Sequence, residues 1–246
     1  MGSVQPRAKE IPGLRKPAIR RNNLLLSKLP VSERARLIAR CEPVELAVDE
    51  VLCEQRKPMR HVYFPLSGFM SQVLTLEGRS GIEVRLVGAE GMFGISLMFG
   101  VSVPGSVRVH GAGSMLRLEA AQFRRELKRC PVLKEMLNRY LLVIASQHMQ
   151  TAVCNRFHRL PARLARWLLM ARDRANSDEF FLTHALASSI LGARREGVTQ
   201  VAHLLQARKL ISYNRGHVTI LNAAGLKTAA CSCYAAMAQI YTKIMS

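Results

Sequence analysis

Acidic residues are scarce in this chain of 246 residues: 17 Asp and Glu stand against 36 Lys and Arg, for a net charge of +19 at pH 7. The isoelectric point near 10.6 favours a polyanionic partner, nucleic acid first, over an enzyme of acidic substrates. Long hydrophobic runs are absent. No apolar stretch approaches the roughly 18 to 20 residues of a membrane helix, and the basic start from Met1 to Arg21 is not followed by a hydrophobic signal region. Membrane spanning and secretion are therefore not expected. The six cysteines, Cys41, Cys53, Cys130, Cys154, Cys231 and Cys233, are too scattered for the disulfide framework of a small secreted domain. They read as reduced thiols of a cytoplasmic protein. No Ser/His/Asp set, paired carboxylates or phosphate loop stands at an informative spacing, so hydrolytic and nucleoside-triphosphate chemistry are not indicated.

What is present is a 49% hydrophobic composition, enough to bury a sizeable core in one large or two modest domains. Residues 1–23 hold six basic residues and one acidic, with Pro6, Pro12, Gly13 and Pro17, and read as a flexible basic arm. Residues 24–130 read as a β-domain. From Val44 to Leu118, alternating segments such as His61 to Phe64, Met70 to Leu76, Ile82 to Leu86, Val107 to Val109 and Met115 to Leu118 are separated by glycine-rich turns. Period two at this spacing predicts an antiparallel sandwich or roll.

After Cys130-Pro131 the period changes. Leu133, Leu137, Tyr140, Ile144, Gln147 and Thr151 follow a seam of 3.5 residues, which predicts a long helix over 131–155. That seam suits either its own domain or the same helix of a second copy. A hinge is expected near Asn155 to Arg159, and Leu160-Pro161 opens another amphipathic helix.

Residues 156–246 hold the most informative stretch. Between Phe181 and Leu205 two short helices meet at Gly192, a residue that tolerates a left-handed turn, with the small Ser188 four positions earlier where the helices cross. Ala187, Leu191, Val198 and Val201 take the inward positions. Arg194, Arg195, Glu196, Thr199 and Gln200 are left outward at the start of the second helix, with Thr183 and His184 at the start of the first. Arginine can fork onto guanine, Glu can accept from cytosine N4, and Gln can pair with adenine. Leu210 to Tyr213, the turn Asn214-Arg215-Gly216 and His217 to Leu221 then form a hairpin, which makes a winged helix-turn-helix with Arg215 at the tip for phosphate.

Gly192-Ala193-Arg194-Arg195-Glu196-Gly197-Val198-Thr199-Gln200 resembles the recognition segment of the Crp/Fnr family of bacterial transcription regulators, and the order β-roll, long helix, winged helix-turn-helix is similar to that family after residue 24. The resemblance implies an α+β fold: an antiparallel β-roll of jelly-roll, cyclic-nucleotide-binding type, a long dimerisation helix, and a C-terminal DNA-binding domain. It carries Arg195 and Glu196 over as base-reading residues, while Gln200 stands where the catabolite activator branch has a second Arg, so the outer base preference should differ. It further implies a homodimer on a palindromic operator in double-stranded DNA, with half-sites about one helical turn apart. RNA polymerase is a candidate partner, although no residue pattern marks the contact. The alternative is a small-molecule sensor acting on RNA or on a protein.

Cyclic-nucleotide members hold the phosphate with glycines, a Glu for the ribose and an Arg-Ser/Thr-Ala run. The matching region here comprises Gly88, Glu90, Gly91, Gly94 and Ser106, but Gly105 replaces the phosphate Arg and Ile95 stands where the ribose Glu belongs. Without that guanidinium the phosphate loses its charge-assisted bonds, so cyclic AMP is not the expected effector. An iron-sulfur centre would need an N-terminal cysteine cluster, and none precedes Cys41; haem would need an axial ligand, for which only the lone His61, His110 or His148 offers itself. Neither cofactor is expected. Ala230-Cys231-Ser232-Cys233-Tyr234 resembles a subgroup of these regulators, with no role implied, and a Cys-x-Cys pair by itself is a weak metal signal, so no metal is expected.

Overall fold

The computed structural model describes residues 22–55, 57–75, 81–102 and 104–246. The basic arm lies outside them except for its last two residues, as do the turn at residues 78–80 and the end of the apolar run at Leu76.

The described chain opens with two short helices, α1 (Leu24–Ser27) and α2 (Val31–Ile38). Asn23 fixes the entry: its carbonyl oxygen caps the Leu26 amide at 3.0 Å, and its amide donates to the carbonyls of Pro65 (3.0 Å) and Gly91 (2.7 Å). A buried amide with all these partners satisfied costs little and specifies position.

Seven strands follow: β1 (Glu42–Leu46), β2 (Val51–Cys53), β3 (His61–Pro65), β4 (Phe69–Leu74), β5 (Ile82–Val87), β6 (Ser106–Gly111) and β7 (Gly113–Glu119). They form two antiparallel sheets, β1-β7-β3 and β2-β6-β4-β5. The last five coincide with the alternating segments of the sequence. β1 and β2 lack alternation, since β1 shows the burial pattern of an edge with only Leu46 fully inside, and period-two reasoning does not find them. Between the sheets lie Phe64, Met70, Met92, Phe93, Val109, Met115 and Phe123, all essentially inaccessible, each worth about 1.5–3 kcal/mol of burial.

Helix α3 (Ala120–Arg129) leads into α4 (Pro131–Phe157), whose 27 residues span about 40 Å at 1.5 Å per residue. The Cys130 sulfur accepts from the Leu133 amide at 3.2 Å and Pro131 occupies the first turn, where no amide is missed. The helix continues through Asn155, Arg156 and Phe157 and breaks at His158, which is extended. Pro161 dictates the break: in a continuous helix its ring would clash with the carbonyl of Phe157.

The C-terminal part comprises α5 (Leu160–Ala175), β8 (Glu179–Phe181), α6 (His184–Leu191), α7 (Arg195–Ala207), β9 (Ile211–Asn214), β10 (His217–Ile220), α8 (Ala223–Ala229) and α9 (Cys233–Met245). Its sheet, β8-β10-β9, adds a third strand to the expected hairpin. A second core gathers Leu164, Leu168, Phe180, Leu191, Val198, Ile211 and Val218. Helix α9 returns along α4 and places Met245 in the core of the roll.

Candidate nucleic-acid interface

Gly192 caps α6 in the left-handed conformation (φ 58°, ψ 42°), and a β-carbon there would meet Ile82 Cδ1 at 2.9 Å. Ser188 locks the turn: its hydroxyl donates to the Ala193 carbonyl at 2.6 Å, and its own carbonyl accepts the Ala193 amide at 3.1 Å. Ala187, Leu191, Val198 and Val201 are all buried between the helices. With those positions filled, Arg194 is exposed at the N-cap of α7 and Arg195, Glu196 and Gln200 on its first two turns, while Thr199 is half-buried.

Thr183 and His184 stand at the start of α6, and His184 touches this set through Thr199. The Thr183 hydroxyl oxygen caps α6 by accepting the Leu186 amide at 3.1 Å. His184 stacks on Tyr213 at 4.4 Å and shares a 2.9 Å hydrogen bond with the Thr199 hydroxyl, which also reaches the Arg195 carbonyl at 3.0 Å. Burial, with His203 and Arg195 nearby, holds the His184 imidazole below its usual pKa. These groups join the first helix, the second helix and the wing.

The wing turns over two residues, Arg215 and Gly216, both at positive φ (47° and 85°), the twist that a two-residue hairpin requires. A β-carbon on Gly216 would lie 2.7 Å from the Phe181 ring. Arg215 is exposed at the tip.

A cavity of about 620 Å³ opens between β4, β5, the single turn at Ile95–Phe99 and helix α4. Its walls include Leu74, Ile82, Phe93, Ile95, Leu141 and Ile144, with Gln72, Glu83, Arg85, Ser96 and His148 as the polar contribution. Of the five residues singled out for a ligand, only Gly94 lines this cavity. Gly91 is packed under the Tyr140 hydroxyl, and Glu90 faces the other way, with its carboxylate 2.8 Å from Arg174 and its carbonyl accepting the Tyr241 hydroxyl at 2.7 Å. Arg85, which sequence reasoning did not single out, is the guanidinium nearest the cavity's inner wall. It donates to the Met92 carbonyl and the Tyr140 hydroxyl, both at 2.9 Å.

The two parts of the chain touch through named contacts. Trp167 Nε1 donates to Glu83 at 2.8 Å, Arg174 meets Glu90, and the Ser189 hydroxyl donates to the Gly81 carbonyl. At the hinge, the fold brings Cys154, His158, Cys231 and Cys233 together, their donor atoms all within 4.8 Å of one another. A hydrogen bond between the two thiols holds Cys231 below its usual pKa and raises Cys154. The Cys-x-Cys pair carries half of this group; the other half comes from the end of α4, 77 residues earlier.

A β-roll, a long helix and a winged helix-turn-helix together define a class of DNA-binding transcription regulators. Residues 43–130 match the cyclic nucleotide-binding domain, and residues 162–229 match the Crp-like helix-turn-helix domain. The chain belongs to the Crp/Fnr family of transcription regulators. Its fold is similar to that of TTHB099, a transcriptional regulator of the CRP family from Thermus thermophilus, with TM-score 0.63 at 21% identity over 76% of this chain and 96% of that one. FixK2 from Bradyrhizobium japonicum superposes with TM-score 0.64 at 14% identity over 78% and 98% of the two chains. The c-di-GMP-responsive global regulator CLP of Xanthomonas campestris gives TM-score 0.63 at 14% identity over 78% and 99%. No curated protein is recognisably similar in sequence. Among the described residues no helix is long and apolar enough to cross a membrane.

Proposed function

We propose that the protein is a homodimeric, sequence-specific regulator that reads a palindromic operator through α7 and is not controlled by cyclic AMP. The observation that carries this reading is the exposure of Arg195, Glu196 and Gln200 on one end of α7, with Arg215 at the wing tip. Forked donors and amide or carboxylate acceptors at the start of a recognition helix suit base edges in the major groove. The arginine at the tip suits phosphate, which positions without reading sequence.

Dimerisation is supported by a second stripe on α4. Its predicted seam, Leu133, Leu137, Tyr140 and Ile144, is consumed by the protein's own core. Leu142, Met149, Val153 and Phe157 lie on the opposite side and are 60%, 64%, 49% and 73% exposed. At spacings of seven, four and four residues they form one face, which a second α4 would cover.

Against cyclic AMP stand the apolar walls of the cavity and the engagement of Arg85 by Met92 and Tyr140. A cyclic phosphate there would have to break those bonds to gain a cation. Selection from random duplex DNA at about 0.15 M salt, where phosphate binding alone is weakened, tests the reading. A recovered palindrome supports it; salt-sensitive binding without enrichment, persisting with cell extract added, overturns it. Calorimetric titration with cyclic AMP and with cyclic di-GMP, to which the Xanthomonas neighbour responds by name, tests the effector side. Micromolar affinity for cyclic AMP would overturn it.

A further inference from the structure

The Cys154, His158, Cys231 and Cys233 group includes none of the residues proposed to read DNA and serves none of the roles described so far. Three thiols and one imidazole converge at the point where α4 ends and where α8 passes into α9. The Sγ atoms of Cys154 and Cys231 are 3.5 Å apart, and Cys233 Sγ is 3.5 Å from His158 Nδ1. Around one zinc ion, bond lengths of about 2.3 Å to sulfur and 2.0 Å to nitrogen give tetrahedral edges of roughly 3.8 Å between sulfurs and 3.5 Å between sulfur and nitrogen. The observed separations are already close to those edges. A multi-iron cluster, which distributes its thiolates over several metals, needs them farther apart.

The surroundings supply two independent signs of a bound cation held by thiolates. Gln150, one turn before Cys154 on α4, points its amide at Cys233 and donates to the sulfur at 3.0 Å, the kind of outer contact that orients a metal-bound thiolate. Arg166 is buried to 5% exposure, yet among the described residues it makes no ion pair within 4 Å; its Nη1 reaches only the thioethers of Met170 (3.7 Å) and Met237 (3.3 Å), and its Nε has no partner. A buried guanidinium without a contacting anion is costly, and Glu83, the carboxylate that acts on Arg166 from farther off, is itself driven towards its neutral form by burial. A divalent ion held by three thiolates and a neutral imidazole leaves one net negative charge beside Arg166.

We propose that Cys154, His158, Cys231 and Cys233 form a closed, tetrahedral site for a zinc-type divalent ion that staples the end of the long helix to the C-terminal helix pair. Binding displaces one proton from each of the three thiols and involves no change of oxidation state. All four positions are taken by protein, so the ion holds structure and performs no catalysis. It ties the hinge at His158 to α9 and so limits how the DNA-binding domain can swing from α4.

The test uses the full chain, purified and dialysed against a mild chelator. Emission spectrometry should find one zinc per chain, and exchange with cobalt should give the thiolate charge-transfer bands and intense visible bands of a tetrahedral ion. Cys231→Ser with Cys233→Ser should abolish zinc retention, whereas Cys41→Ser and Cys53→Ser should leave it unchanged. Gln150→Leu, which keeps all four ligands, should weaken zinc binding by about tenfold. If the double variant does not fold, zinc titration of the metal-stripped wild type, read by protection of three thiols from a thiol reagent, decides instead. No zinc binding and no thiol protection, acid-labile sulfide with iron, or a Cys154-Cys231 disulfide in protein kept from oxidants would each overturn the proposal.

Discussion

The indole nitrogen of Trp167 on α5 donates a 2.8 Å hydrogen bond to the carboxylate of Glu83 on β5, joining the DNA-binding domain to the cavity wall of the roll. Behind it, Ser71 contacts Glu83 and is itself 2.6 Å from His110 Nε2. A buried polar chain thus runs from the inside of the roll to the base of the helix-turn-helix. Any ligand that displaces Glu83 acts on α5 directly.

Burial raises the Glu83 carboxyl from 4.5 to about 7. The folded protein therefore holds a proton that the unfolded chain has released, and stability falls as pH rises from 4.5 towards 7, by up to roughly 1 kcal/mol per pH unit. Glu83→Gln keeps the acceptor for Trp167 and cannot ionise. Thermal unfolding followed by Trp167 fluorescence should show a flatter pH profile for the variant and a higher midpoint than wild type at pH 8; parallel profiles would refute the assignment.

Arg195→Ala and Arg215→Ala should separate reading from positioning. The first is expected to cost about 1–3 kcal/mol on the preferred sequence and relax discrimination at one base pair. The second should weaken specific and nonspecific duplexes alike and lower the salt slope by about 1. Equal loss of discrimination in both variants would contradict this division.

Leu142→Glu combined with Met149→Glu puts charge on the exposed stripe of α4 without touching either core. Light scattering should show a monomer at micromolar concentration, and operator affinity should fall at least about tenfold, or 1.4 kcal/mol. A dimer that survives both substitutions would place the interface elsewhere.

Gly192→Ala forces a β-carbon into a left-handed turn and against Ile82. A loss of about 1–3 kcal/mol is expected in urea unfolding. Adding Ile82→Val should recover the steric part only, so full recovery would show that the backbone conformation costs nothing.

Much of this architecture is legible in the residues themselves. Alternation located β3 to β7, the 3.5-residue seam located α4, and Gly192, Ser188 and the clamp residues located α6 and α7. Edge strands β1 and β2, half wet and without alternation, carry no such signal. The same seam suited either an own-domain or a partner contact, and packing assigned it to the core, leaving Leu142, Met149 and Phe157 outside. Among the candidate DNA contacts, Thr183 also caps α6 and His184 also bonds Thr199 on α7, contacts that the sequence pattern did not announce because hydroxyl and imidazole side chains at a helix start suit several purposes.

The sequence by itself determined the class of protein, because periodicity, turn chemistry and charge are local properties that a chain displays without folding. Only the tertiary structure decided which glycines border the cavity, that Glu90 pairs with Arg174, and that Cys154 and His158 meet Cys231 and Cys233. Those relationships join residues dozens of positions apart. They depend on how α4, α5 and α9 cross, and no local spacing records a crossing.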